Sequence, residues 1–438
     1  MATSVVGAEK NRFLRRFRGW ATVAEAFLRG DSGPVAEKIF RSRWILPISE
    51  APIENGWVMA KRHEVVALGV GDGWPHGPPV INLGDSAILP GLINAHTHLE
   101  FSDLALPIGF SGIKLHQWIE LVIQNRTSRH DPGAVIAAGA SQAFHGGARL
   151  VGEIATLPWA GFRNPLVPEM VVFSEVLGLA IARAEERLAV ASAHFAKSQI
   201  VDRVTAAISP HAPYSTSIET ITRCVEYARK EKSILAMHLC ESVEERELME
   251  SGTGPFAEQL KKIGVFDARH FGRGRTVTQD ILQIIAQAPS ALVIHGNDLR
   301  PLEIEFLARQ PQMTVVYCPR THAFFQHSPH PVRQLMSRRI RVAIGTDSLA
   351  SNPDLSVWNE VRWLLEHRPD IGWQETLAMA TLHGADAFHR PDLGRIQPGA
   401  SCGLIAVPGG AKQCDDLPRR WIESCDPPIW LTAPSLTA

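Results

Sequence analysis

Eight short apolar runs that recur along the middle of this chain constrain its fold more than any other feature. They fall at residues 86–90, 150–154, 170–173, 204–208, 234–238, 291–295, 314–317 and 342–345. Helical patterns lie between most of them, for example at 218–230 and 278–287. Short buried strands alternating with helices predict an α/β fold, a (β/α)8 TIM-type barrel. Before the barrel, residues 43–47, 56–60 and 64–70 read as strands separated by Pro and Gly, and 403–407 reads as another after it. These flanks predict a small β-sandwich domain built from both chain ends. The expected domains are an N-terminal extension at 1–34, the sandwich at 35–88 and 391–438, and the barrel at 89–390.

Bulk properties narrow the partners. Of the 438 residues, 45% are hydrophobic, enough for a large core. The formal net charge of -1 argues against an electrostatic nucleic-acid binder and favours a small-molecule substrate. Six cysteines form no CxxC pair, so neither a zinc ribbon nor a disulfide framework is expected, and a reducing compartment is the simpler reading. No apolar run reaches membrane-spanning length. The first residues carry Lys10, Arg12, Arg15, Arg16 and Arg18 but no continuous apolar core, which speaks against a secretory signal. The expectation is a cytoplasmic protein with no membrane or nucleic-acid partner. A homo-oligomer is left open.

Potential ligands cluster at the C-terminal ends of the proposed strands, where barrel enzymes place their chemistry. His96 and His98 follow strand one, and alternation puts both on one side. His211 follows strand four, His238 ends strand five, His295 ends strand six and Asp347 ends strand eight. Imidazoles and a carboxylate suit zinc or ferrous iron, and three His with one Asp leave a position for water. A metal so held lowers the pKa of that water. Glu241, three residues after His238, is placed to carry protons in the same cavity. Each residue alone has a plainer explanation. An HxH pair is often incidental, Asp347 could cap a helix, and Glu241 could favour a helix dipole. The joint pattern is what carries weight.

At these residues the sequence resembles the amidohydrolase superfamily, its cytosine deaminase-like and chlorohydrolase-like branch. The matching stretches are 89–98 (LPGLINAHTH), 209–214 (SPHAPY), 238–241 (HLCE), 295–296 (HG) and 345–352 (GTDSLASN), in the family's order. The resemblance runs from about residue 39 to about residue 407. It implies His96, His98, His238 and Asp347 as metal ligands, Glu241, His295 and Asp347 as catalytic groups, and His211 as a substrate contact. Binuclear relatives carry a lysine on strand four. Residues 204–209 contain none, which favours one divalent metal, zinc first and Fe(II) second. After strand seven, residues 318–322 (CPRTH) depart from a family Ser-Asn pair, so His322 either shapes the substrate pocket or fills the Asn position.

The expected reaction is deamination of an aminated heterocycle, such as a purine, pyrimidine, pterin or triazine, by metal-activated hydroxide. Hydrolysis of a C–Cl, amide or lactam bond by the same site is the alternative. A non-catalytic binding scaffold is the alternative of another class, and it would show a broken ligand set. Trp118, Glu175, His322 and Asn352 are the further candidates for substrate contact. Trp118 also reads as a core residue of a helix at 115–123.

Overall fold

The computed structural model describes residues 37–125, 131–156, 168–198 and 203–432. The expected N-terminal extension at 1–34 lies outside them. Strands β1 (Glu37–Ile45), β2 (Ile53–Lys61), β3 (Glu64–Val70), β4 (Val80–Asn82) and β5 (Ser86–Pro90) come first. β6 (Leu92–Thr97), β7 (Ala148–Ala155), β8 (Glu169–Val176), β9 (Val204–Pro210), β10 (Ile234–Leu239), β11 (Ser290–His295), β12 (Met313–Tyr317) and β13 (Arg341–Ile344) follow. β14 (Leu404–Pro408) and β15 (Ile429–Thr432) close the series. The described residues fall into two compact units, one drawn from the stretches up to Pro90 and from Arg395 on, the other Gly91–Gly394.

In the first unit, both chain ends share one seven-stranded sheet, ordered β15-β14-β5-β1-β2-β3 with β4 also on β1. The sheet forks at β1. Its first half pairs with β4 at Ile39, Phe40 and Arg41, and its second half pairs with β5 at Trp44 and Ile45. Alternation along the strands puts apolar groups on both faces. Phe40, Val58 and Ala60 join one buried cluster, while Ile39, Trp57 and Met59 join another.

In the second unit, β6 to β13 follow one another in sequence order as a parallel sheet. β7, β10, β11 and β12 are buried along their whole length, as strands covered on both faces must be. This is the expected (β/α)8 barrel, with one correction to its first strand. The run 86–90 belongs to the other sheet, where it pairs antiparallel with β14. The first barrel strand is β6, which already contains His96. Residues 86–97 are buried without a break, so hydrophobicity alone gives no boundary at Gly91.

The barrel closes between its first and last strands, and the closure passes through the ligand candidates. The His96 carbonyl accepts from the backbone N–H of both Thr346 and Asp347, each at 3.0 Å. Thr97 and Asp347 form a parallel bridge, and Thr97 Oγ1 donates to the Asp347 carbonyl at 2.7 Å. Fully buried Asn94 ties both sides: its Nδ2 donates to Thr346 Oγ1 at 2.8 Å, and its Oδ1 accepts from Thr346 N at 3.1 Å. Removing such a buried group strands its partners. Asn94→Ala is expected to cost roughly 1–3 kcal/mol of stability, measured by denaturant unfolding; an unchanged midpoint would show that this closure does not rest on Asn94.

Candidate metal centre

Four imidazoles and one carboxylate meet at the C-terminal end of the barrel. The His96 ring lies 4.9 Å from those of His98 and His238 and 5.6 Å from that of His295, centroid to centroid. His98 Nε2 is 3.2 Å from His238 Nε2. Asp347 Oδ1 is 3.7 Å from His96 Nε2 and 3.9 Å from His98 Nε2. Nitrogen and oxygen atoms bound tetrahedrally to one zinc ion stand about 3.3 Å apart, so these spacings are near those of a shared ion. Within the set, His96, His98 and Asp347 form one group of ligand atoms, and His96, His238 and His295 form another, each spanning less than 4.8 Å.

The donors suit a metal. Neither ring nitrogen of His96, which is 0% exposed, has a hydrogen-bond partner among the described residues. A buried polar group in that condition calls for a ligand. His238 Nδ1 donates to the His211 carbonyl at 3.0 Å, which leaves Nε2 as the lone pair facing the centre. Burial, reinforced by nearby His96, lowers the His238 pKa to about 3, so the ring is held neutral, the form that ligates. Burial works against ionisation of Asp347. The neighbouring His96 and His295 and the Ser351 hydroxyl, which donates to Oδ2 at 2.9 Å, outweigh it and hold the carboxyl below its ordinary range.

Glu241 follows β10 and is buried with its Oε1 3.5 Å from His295 Nε2. Its pKa is pushed well above the ordinary carboxylate value, first by burial, then by the charges of Asp347 and Glu245. A carboxyl poised to hold a proton therefore sits beside one kept ionised. The loop that carries Glu241 is clamped. Glu245 accepts from the backbone N–H of Cys240 at 2.9 Å and of Glu241 at 3.0 Å, and Cys240 is left-handed at φ 57°. Ser242 caps the following helix by accepting from Glu245 N at 3.1 Å.

Other groups set the backbone of the site from behind. Glu153 accepts from Leu99 N with both oxygens, at 2.9 and 3.1 Å, and so fixes the chain just after His98. His330 Nε2 donates to the His295 carbonyl at 2.9 Å, where His295 is left-handed at φ 69°. Sequence reasoning passed over Glu153, Glu245 and His330. Only Glu245 leaves a local signature, the Ser-x-x-Glu spacing of a helix start.

A cavity of about 1260 Å³ opens onto the centre, and His98, His211, His238, Glu241, His295 and Asp347 all line it. Trp118 lines it too, with Nε1 donating to the Ala350 carbonyl at 3.0 Å, so it is both a wall and a packing residue. Glu175 lies in the cavity wall beside His211. His322 departs from its expected place. It is not among the residues lining this cavity, and its Nε2 donates to the Ser328 carbonyl at 2.9 Å, in a buried cluster with Tyr317 and His330. His322 lies on the helix Pro319–Phe325. Asn352 is also internal, donating to the Thr346 carbonyl and to Glu360.

Comparison with known proteins shows the family and the fold. A model of the amidohydrolase family matches residues 87–418. The chain is 27% identical over 391 residues to the 5-methylthioadenosine/S-adenosylhomocysteine deaminase of Moorella thermoacetica, covering 83% of each. Its fold is similar to that of Helicobacter pylori aminofutalosine deaminase in complex with methylthio-coformycin, at TM-score 0.73 and 21% identity, over 88% of this chain and 96% of that one. It is also similar to a Xanthomonas campestris adenosine deaminase with bound zinc, at TM-score 0.69 and 20% identity, over 91% and 92% of the two chains.

Loss of one donor should be decisive for metal binding. Changes to a ligand's hydrogen-bond partner alone cost about 10- to 100-fold in metal affinity, so His238→Ala is expected to lose more. Elemental analysis after dialysis checks this, and a variant that keeps the wild-type metal content would remove His238 from the ligand set.

Proposed function

The chain belongs to the amidohydrolase family, and we propose that it is a hydrolytic deaminase of an aminated heterocycle, holding one zinc ion on His96, His98, His238 and Asp347. The observation that carries the reading is the pairing of an ionised Asp347 with a proton-holding Glu241, both buried in the cavity wall. Deamination of an sp² carbon needs both a group that takes a proton from water and one that delivers a proton to the ring nitrogen. Ferrous iron fits the same nitrogen and oxygen donors, and the zinc bound in the Xanthomonas campestris adenosine deaminase supports zinc first.

When bound, the metal supplies an acidified water and a Lewis acid. The side chains divide the remaining work. Asp347 accepts the water proton. Glu241 gives its proton to the ring nitrogen; the proton held by Asp347 then passes to the amine, which departs as ammonia, and Glu241 regains a proton from the new hydroxyl. The His295 ring, neutral because burial pushes its pKa well below the usual value, donates an N–H to the attacking oxygen. His211 and Tyr214 line the space next to it, where a flat ring would lie.

The finer substrate is a 6-aminopurine nucleoside. The Moorella thermoacetica relative, named for two adenosine derivatives, supports this. So does the cavity, which is larger than a heterocycle needs and is lined also by apolar groups such as Ile119, Val122, Phe256 and Leu260.

Glu241→Gln keeps the size of the side chain and removes the transferable proton. Ammonia release is expected to fall roughly 10²- to 10⁴-fold with bound metal unchanged. A metal-loaded variant with full turnover would take Glu241 out of the proton path.

A further inference from the structure

A second, smaller cavity of about 90 Å³ adjoins the large one at Glu241. Among the described residues, Glu241 is the only one that lines both. The deamination steps use none of the others around the small cavity. It has room for several molecules the size of water. The charged groups on its wall are paired: Lys114 Nζ lies 3.7 Å from the Glu244 carboxylate, and Asp298 is held by Arg246.

Two polar atoms in this wall are buried and unsatisfied. Asn297 Nδ2 donates to the Glu241 carbonyl at 3.0 Å, which fixes the amide and leaves Oδ1 with no hydrogen-bond partner among the described residues. His327 Nε2 has none either. Buried polar atoms in that condition call for a bound molecule, and in a cavity of this size it must be a small one with hydrogen-bonding groups. Burial, then His322, lowers the His327 pKa to about 4, so the ring is neutral and does not repel an ammonium ion.

The two cavities meet the solvent at different places. The donors of the metal centre are buried, whereas Ile123, Ile263 and Val265 of the large cavity are exposed, so the centre is at its inner end. A substrate whose amine faces the centre therefore fills the way out behind it. The amine departs from the carbon next to the ring nitrogen that Glu241 serves. The small cavity begins at that same residue and is lined by exposed Val243, Gln326 and Ser328, so it reaches the surface by a route of its own.

We propose that the small cavity receives the ammonia released beside Glu241 and passes it to solvent while the ring product still fills the large cavity. The proposal rests on the deamination reading given above. Ammonia is of the right size, and its N–H groups suit the Asn297 Oδ1 acceptor.

The test follows adenosine in the zinc-loaded wild-type enzyme and in Val243→Trp and Ser328→Trp, each of which puts a large ring at the outer rim of the small cavity. Ring conversion is read by ultraviolet absorbance, in the steady state and after rapid mixing. Ammonia leaves after the C–N bond has broken, so obstructing its exit should lower kcat and KM by the same factor and leave kcat/KM at the wild-type value. Rapid mixing should show a burst of about one ring conversion per chain, followed by a steady state slower than that of the wild type. Val243→Ala should behave as the wild type. The two tryptophan variants guard against misfolding of either one. Unchanged kcat in either folded variant, or a kcat/KM that falls in step with kcat and no burst, would overturn the exit route alone. A wild type that releases no ammonia from adenosine, cytosine, a pterin or an aminotriazine would instead overturn the deamination reading, and the exit route with it.

Discussion

The closure of the barrel at the His96 carbonyl is the constraint on which the site depends. One oxygen accepts two N–H groups from the far end of the sheet, those of Thr346 and Asp347. The first and last strands are 250 residues apart in sequence at Thr97 and Asp347. Their juncture nevertheless places the first histidine pair against Asp347. Gly345 permits this approach: a Cβ there would come within 2.9 Å of the His96 Cβ. The barrel seam and the candidate metal centre are the same piece of structure, so damage to one is damage to the other.

Burial then decides which groups hold protons. It keeps His238 and His295 neutral and drives Glu241 toward its protonated form, while Asp347 stays ionised through its neighbours. Two carboxyl groups in one cavity are pushed to opposite states, the arrangement that lets one take a proton and the other give it. The backbone is left-handed at Cys240, His295 and Asp347, all at or just beyond strand ends, and His295 and Asp347 line the cavity. Glu245 and His330 accept or donate at the neighbouring backbone groups and hold two of those turns in place.

Much of this was legible in the sequence, for a physical reason. Parallel strands buried on both faces must be short apolar runs, and a ligand must sit where a strand ends, so His96, His98, His238, His295 and Asp347 stand out by position. What was not legible had no such period. Residues 86–97 form one buried run, and only the pairing of β5 with β14 shows that its first part leaves the barrel. Glu153, Glu245 and His330 act on backbone atoms close only in space. For His322 two readings stood open, a pocket residue or a filler of the Asn position, and the contact of its ring with the Ser328 carbonyl had no sequence signal.

The central claim is a single metal ion serving a deamination site, and stoichiometric reconstitution tests it most directly. Metal-free protein titrated with zinc should regain ammonia release from an aminopurine nucleoside in proportion to the metal added. The gain should stop at about one ion per chain, as one tetrahedral donor set requires. Full activity in the metal-free protein, or a plateau reached only at two ions per chain, would contradict the account.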